Sequence, residues 1–373
     1  MSRQDVNVYI LGCIVRPSIK QVALQAGVSI ATVSRLMNQP DSVGIDTASK
    51  VYQAMKTLAF RPNFSGRNLR AGRSRTVGVV LPTFSNTVFA QCLQGLETVA
   101  REREYSVMVT ATEYRQQDEA AAVELLLAHR VDGVILTVAD AEASTTLDLL
   151  DHEKIPYVLV YNQPQQSVRP SVSVDNQLAA YDAVSKLIEL GHRQIQMLAG
   201  HFHASDRALQ RYHGYLQAMQ QHGLEPLAPI EVARHTYTSL DFDYLQTFRD
   251  PSQRPSALFC SNDLLALSVM RDLRVLGLRV PDDVSVMGFD GIPLGELMDP
   301  MLSSVEQPSE QIGALALRTL VTAIEEQQEG HPTSVATHIL PHTVRLGGSV
   351  KPFVQPFVKP FVQPVIQLFT TLP

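Results

Sequence analysis

Hydrophobic positions change their spacing along this chain. From residue 18 to 58 they recur at helical intervals in three short stretches, Val22, Ala23 and Ala26, then Val33, Leu36 and Met37, then Val51, Ala54, Met55 and Leu58. Ser18 followed by Gln21 makes a capping-box pattern, Gly27 ends the first stretch, and Ser29 caps the second. The expectation is two short helices joined by a tight turn, with a third helix over about 46–58 closing a small core. From Thr76 the pattern becomes short apolar runs alternating with amphipathic helices: TVGVVLP, YSVMVT, VDGVILT and IPYVLVY, with helices over about 87–103 and 116–129. A second set follows the break NQPQQSVRP, with a strand near 171–174, QIQMLAG, ALFC and VSVMGFD, and helices to Leu190 and over about 207–222 and 263–276. This alternation predicts parallel sheets covered by helices, and two sets in 373 residues predict two lobes behind the helical head.

Charge divides the chain at the same place. Residues 1–75 hold 11 of the 31 Lys and Arg but 3 of the 37 Asp and Glu, so a basic head at +8 precedes a remainder at −14. A mildly acidic protein with a basic first fifth is built to set one end on a polyanion. In a helix-turn-helix the second helix enters the major groove, and here it would turn Ser29, Ile30, Ala31, Thr32, Ser34 and Arg35 outward. Arg35 can be bidentate to guanine, hydroxyls suit phosphate oxygens, and Ile30 and Ala31 offer apolar contact such as to a thymine methyl.

The motif AGVS-x-x-TVSR-x-x-N, Ala26 to Asn38, followed by RPN at Arg61–Asn63, resembles the lactose-repressor (LacI) family of bacterial regulators, and the likeness extends over about residues 17–347. It implies base contacts at Ile30, Ala31 and Arg35, phosphate contacts at Thr32, Ser34 and Asn38, and a hinge whose Leu69 wedges into the minor groove. The hinge, 63–75, carries four arginines and two glycines, and Gly66 should cost its helix up to about 1 kcal/mol. The fold expected is α/β: a three-helix head over 17–62, the hinge, and a two-lobed core of the periplasmic-binding-protein type with two parallel sheets over 76–348. Lobe 1 is expected over about 76–161 and 291–329, lobe 2 over about 162–290 and 330–346, with the chain crossing near Tyr161, Asp290 and Glu329.

Ligands of such folds sit where strand C-terminal ends face one another. The residues just past strands are Phe84, Asn86, Phe89, Asp175, Arg207, Arg211, Asn262, Asp263 and Asp290. The resemblance places effector contacts most firmly at Arg211 and Asp290, and helix capping competes as an explanation for Asp175, Asn262 and Asp263. An arginine among acids suits a hydroxylated, even anionic, small molecule. The loops LPTFSNTVFAQCLQGLE and VPDDVSVMGFDGIPLGELMDP resemble those of gluconate-utilisation repressors, which points to a sugar acid or sugar. His201 and His203 read most simply as loop residues at the mouth of the cleft, with a ligand role as the alternative.

Other signals exclude more than they assign. There is no nucleophile elbow, P-loop or HExxH, so no enzyme is expected, and no cofactor or metal. Cys13, Cys92 and Cys260 are too scattered for a disulfide framework or zinc site. The apolar run Val6–Val15 contains Asn7 and follows Asp5 without a cleavage site, so residues 1–16 read as a disordered extension and the protein as cytoplasmic, with no membrane partner. Residues 349–373, with the near-duplicate KPFVQPFV KPFVQPVI, read as a disordered, proline-spaced tail. The expected molecule is a homodimeric, ligand-controlled regulator, most simply a repressor, binding double-stranded operator DNA; whether dimers pair into tetramers stays open. A solute receptor with the same core, or a ligand-blind architectural DNA-binding protein, are the alternatives.

Overall fold

The computed structural model describes residues 17–60, 73–233, 243–332 and 335–353. The extension before Pro17, the hinge positions Asn63 and Leu69, and the tail beyond Phe353 lie outside them, as does the side chain of Asn38. The chain divides between Ser74 and Arg75 into two units.

In the first unit, α1 (Ile19–Ala26), α2 (Ile30–Asn38) and α3 (Ile45–Thr57) enclose Val22, Ala23, Val33, Leu36, Val51 and Ala54. The local chemistry is the one the spacing requires. Gln21 Oε1 accepts from the backbone N–H of Ser18 at 2.7 Å, and Ser29 Oγ accepts from Thr32 N–H at 3.0 Å. Gly27 takes φ 65° between the two helices, a left-handed turn that glycine adopts without the strain of a Cβ.

The second unit holds two six-stranded sheets. β1 (Thr76–Leu81), β2 (Ser106–Ala111), β3 (Gly133–Leu136), β4 (Tyr157–Val160) and β5 (Ser171–Val174) join β11 (Thr337–Leu340) in the order β11-β5-β4-β3-β1-β2, all parallel. β6 (Ile195–Gly200), β7 (Ile230–Val232), β8 (Ala257–Cys260), β9 (Ser285–Asp290), β10 (Ser303–Glu306) and β12 (Thr343–Arg345) form the other, β12-β10-β9-β8-β6-β7, parallel except for β12 against β10. Their inner strands are buried on both faces, which is why they read as unbroken apolar runs. The helices are α4 (Thr87–Glu102), α5 (Gln117–Ala128), α6 (Thr145–Glu153), α7 (Asn176–Glu189), α8 (Asp206–Gln221), α9 (Asp263–Val275), α10 (Pro293–Glu296) and α11 (Ser309–Gln328).

Three expectations about lobe boundaries need correction. Ser171–Val174 belongs to the first sheet, where Ser171 pairs with Leu159 and Val172 with Val160, so the Pro- and Gln-rich run before it is a loop within a lobe. The chain therefore crosses between lobes at 174–176, 306–309 and 340–343 rather than near Tyr161, Asp290 and Glu329. Strand β10, SSVE, gave no hydrophobic signal because its fully buried Ser303 and Ser304 are held by hydrogen bonds instead. The tail also starts later than expected. Ser349 is buried, its Oγ accepting from Ser303 N–H at 2.8 Å, and Phe353 N–H donates to Leu190 O at 2.8 Å.

Candidate functional site

On the head, α2 separates its residues cleanly. Val33 and Leu36 face the core, while Ile30, Ala31 and Arg35 are exposed, Ile30 by 43%. Thr32 and Ser34 sit at the margin, and the Ser29 and Thr32 hydroxyls are 2.9 Å apart over the start of the helix. The helix thus offers an arginine, two small hydroxyls and an apolar pair on one surface, with no acid in its first turn.

In the second unit a cleft of about 240 Å³ opens between the sheets. At its floor, Arg211 and Asp290 meet at 3.6 Å, both buried. Arg211 projects from α8, its Nε donating to Asn176 Oδ1 at 2.9 Å, its Nη1 to Ser261 O, and its guanidinium lying 3.6 Å over the Phe289 ring. Asp290, the last residue of β9, accepts from Asn86 Nδ2 and Gln307 Nε2, each at 2.9 Å. Its backbone φ of 126° lies in a region L-residues rarely adopt, a strain that fixes the carboxylate inside the cleft. Burial pushes Arg211 down to about 10, opposed by the Asp290 charge, and pushes Asp290 up, opposed by Arg211. Each charge thus offsets part of the cost of burying the other.

Of the nine cleft candidates, Asn86, Phe89, Arg207, Arg211, Asn262 and Asp290 line it. Three do not. Phe84 is 61% exposed outside it, because α4 begins after Asn86 and turns Phe89 inward instead. Asp175 accepts from Leu178 N–H and caps α7. Asp263 is wholly buried beneath the floor, accepting from Ile292 N–H at 2.8 Å and Ser304 Oγ at 2.6 Å. Burial and then the Asp290 charge push it up to about 7. A Cβ on Gly288 would collide with its Oδ1, so any side chain there would have to displace this hydrogen-bonded carboxylate. Arg207 lines the wall, but its Nη1 is committed to Val138 O at 2.7 Å.

Residues not anticipated include Tyr161, Glu113, Tyr114, Ser205 and Gln307. Tyr161 directly follows β4, so the strand-end rule names it once it is not taken for a crossover; its hydroxyl donates to Val88 O at 3.0 Å and its ring stands edge-on to Phe89. Gln307 follows a strand without hydrophobic signature, and its buried Oε1 has no hydrogen-bond partner among the described residues. His201 and His203 both line the cleft, rings stacked 5.3 Å apart. Among the described residues there is no group of three His, Cys, Asp or Glu able to hold a metal, and no helix long and apolar enough to cross a membrane.

Residues 18–63 match the family described as bacterial regulatory proteins, lacI family, and residues 184–350 match a periplasmic binding protein-like domain. The chain is 32% identical to the HTH-type transcriptional repressor CytR of Escherichia coli (strain K12), over 84% of this chain and 91% of that one. It is 31% identical to the HTH-type transcriptional regulator GntR of the same strain, over 90% and 99%. A Lac repressor dimer solved with operator and the anti-inducer ONPF superimposes with a TM-score of 0.74 at 25% identity, covering 90% of this chain and 99% of that one.

Proposed function

Since the chain belongs to the lacI family of bacterial regulatory proteins and is a transcriptional regulator rather than an enzyme, we propose that it is a cytoplasmic homodimeric repressor of a sugar or sugar-acid operon, switched by a small hydroxylated effector in the interlobe cleft. In this reading Ile30, Ala31 and Arg35 read bases, Ser29, Thr32, Ser34 and Asn38 hold phosphates, and Asn63 and Leu69 act in the hinge. The carrying observation is the buried Arg211–Asp290 pair, with Asn86 and Gln307 around it. Fixed donors and acceptors converging in a cleft suit a ligand rich in hydroxyl groups.

Charge favours a neutral effector over the gluconate-like acid that the loops suggest. Arg211 already faces Asp290, and Arg207 faces Asp206 at 3.0 Å and Val138 O. A ligand carboxylate would be desolvated beside cations that are already neutralised. The spare Gln307 Oε1 calls for a hydroxyl or N–H donor. A thermal-shift panel pairing each aldose with its aldonic acid, and including nucleosides, tests this. Neutral ligands should raise the melting temperature and lose that effect in Asp290→Asn. Stabilisation by the acids alone would return gluconate-like effectors to first place, and no shift with any ligand would favour the architectural alternative.

A further inference from the structure

The three crossovers leave β5, β10 and β11, at one edge of the two sheets. Bonds near a hinge scarcely resist the parting of lobes, because they lie close to the axis of motion. Bonds farther from it resist more. β3 lies beyond β4 from that edge, and β6 lies beyond β9 and β8. The chain leaving β3 meets the first turn of α8, which follows β6, and here the lobes are stitched together.

Asp206, the first residue of α8, donates its backbone N–H to Ala139 O at 2.7 Å. Its carboxylate accepts from Ala141 N–H at 3.1 Å and from Asn162 Nδ2 at 2.9 and 2.8 Å. Arg207 Nη1 donates to Val138 O at 2.7 Å, and Gln210 Nε2 to Gln163 O at 2.9 Å. The first lobe presents a prepared socket. Val138 and Asn162 exchange hydrogen bonds of 3.0 Å, and Glu119 Oε1 accepts from Ala139 N–H at 2.7 Å. Asn162 is fully buried, and Glu119 and Arg207 are 3% and 5% exposed. Across the floor, by contrast, Asn86 donates a single bond to Asp290.

We propose that Asp206, with Arg207 and Gln210, is a ligand-independent latch that holds the cleft shut on the side away from the crossovers. None of its bonds needs a ligand, so it sets the open–closed equilibrium on which any ligand acts. A ligand shifts that equilibrium only by its differential affinity for the two states, and its apparent affinity scales with the closed fraction. The latch therefore governs sensitivity without contacting the ligand through Asp206. It also explains why Arg207, placed on the wall like a ligand-binding arginine, points its Nη1 at a carbonyl of the opposite lobe.

Electron–electron double resonance on the full-length, ligand-free protein tests this, with spin labels on cysteines introduced at the exposed Glu124 of α5 and Gln221 of α8 in a Cys13→Ser background, diluted into unlabelled protein. Asp206→Ala should add a longer-distance population that the wild type lacks. Asp206 also lies in a first helical turn, where a negative charge supports the helix. Ser205→Ala, which removes the α8 cap but no lobe-1 contact, should leave the distances unchanged and so separates fraying from unlatching. Gln210→Ala, which removes the outer bond and no buried charge, should lengthen the distance less, in the same direction, and decides the matter if Asp206→Ala does not fold. Wild-type distances in every folded latch variant, or equal lengthening in Ser205→Ala, would overturn the proposal.

Discussion

On the head, the candidate contacts from Ser29 to Arg35 fall within one short stretch on and just before one helix, and Val33 and Leu36 pack beneath them. In the cleft, Asn86 and Asp290 touch although 204 residues separate them. The first surface is local: a helix presents whatever faces away from its partners, so substitution on the exposed side alters contact chemistry and little else. The second is made by burial. Its polar groups are desolvated and must satisfy one another, so removing one leaves another stranded. Recognition on the head should therefore be separable from stability, and recognition in the cleft should not.

The strongest test attacks the head from below. Val33→Asp places a charge in a core of a few small side chains and should cost on the order of 4 kcal/mol or more, unfolding the head and abolishing operator binding. Calorimetry should show the core's melting transition unmoved, and a lowered core transition would mean the two units do not fold independently. Next in size, Arg211→Ala strands Asp290 and should cost the core about 3 to 5 kcal/mol, seen in chemical denaturation, together with all effector response. Normal stability with lost response would place that arginine in recognition alone.

Arg35→Ala should leave both melting transitions in place and reduce specific operator binding by about 1 to 3 kcal/mol, measured against random DNA. Equal loss on both DNAs would make it a phosphate contact. The smallest effect is a pH dependence. Burial, opposed by the Ala139 hydrogen bond, raises Glu119 from 4.5 to about 7 in the folded state. The folded protein then binds a proton more readily than the unfolded chain, so this group's stabilisation is present below pH 4.5 and is lost as pH rises through about 7. Glu119→Gln keeps an acceptor for Ala139 N–H and should flatten the stability profile over that window. An unchanged slope would mean that Glu119 titrates normally.

Legibility followed the same divide. The head's caps, turn and core are legible in the sequence because each depends on residues three or four apart. In the core, the strands buried on both faces announced themselves as apolar runs, whereas β10, with paired serines in its core positions, did not. The strand-end rule reached Asn86, Arg211 and Asp290, but also selected Asp175 and Asp263, because a carboxylate after a strand serves equally to cap a helix or brace a loop. Tyr161 is obscured for a related reason: a Pro- and Gln-rich run after a strand reads equally as a passage between lobes or as a loop within one, and here it joins β4 to β5.

By itself the sequence determined the head, its basic charge, the βα alternation and the family, because these rest on local periodicity and on a contiguous motif. Only the tertiary structure decided which strands share a sheet, where the chain crosses between lobes, and that the cleft's two arginines are already paired. Strand neighbours and buried charge partners are settled by desolvation among groups up to hundreds of residues apart, a competition that no short window of sequence contains.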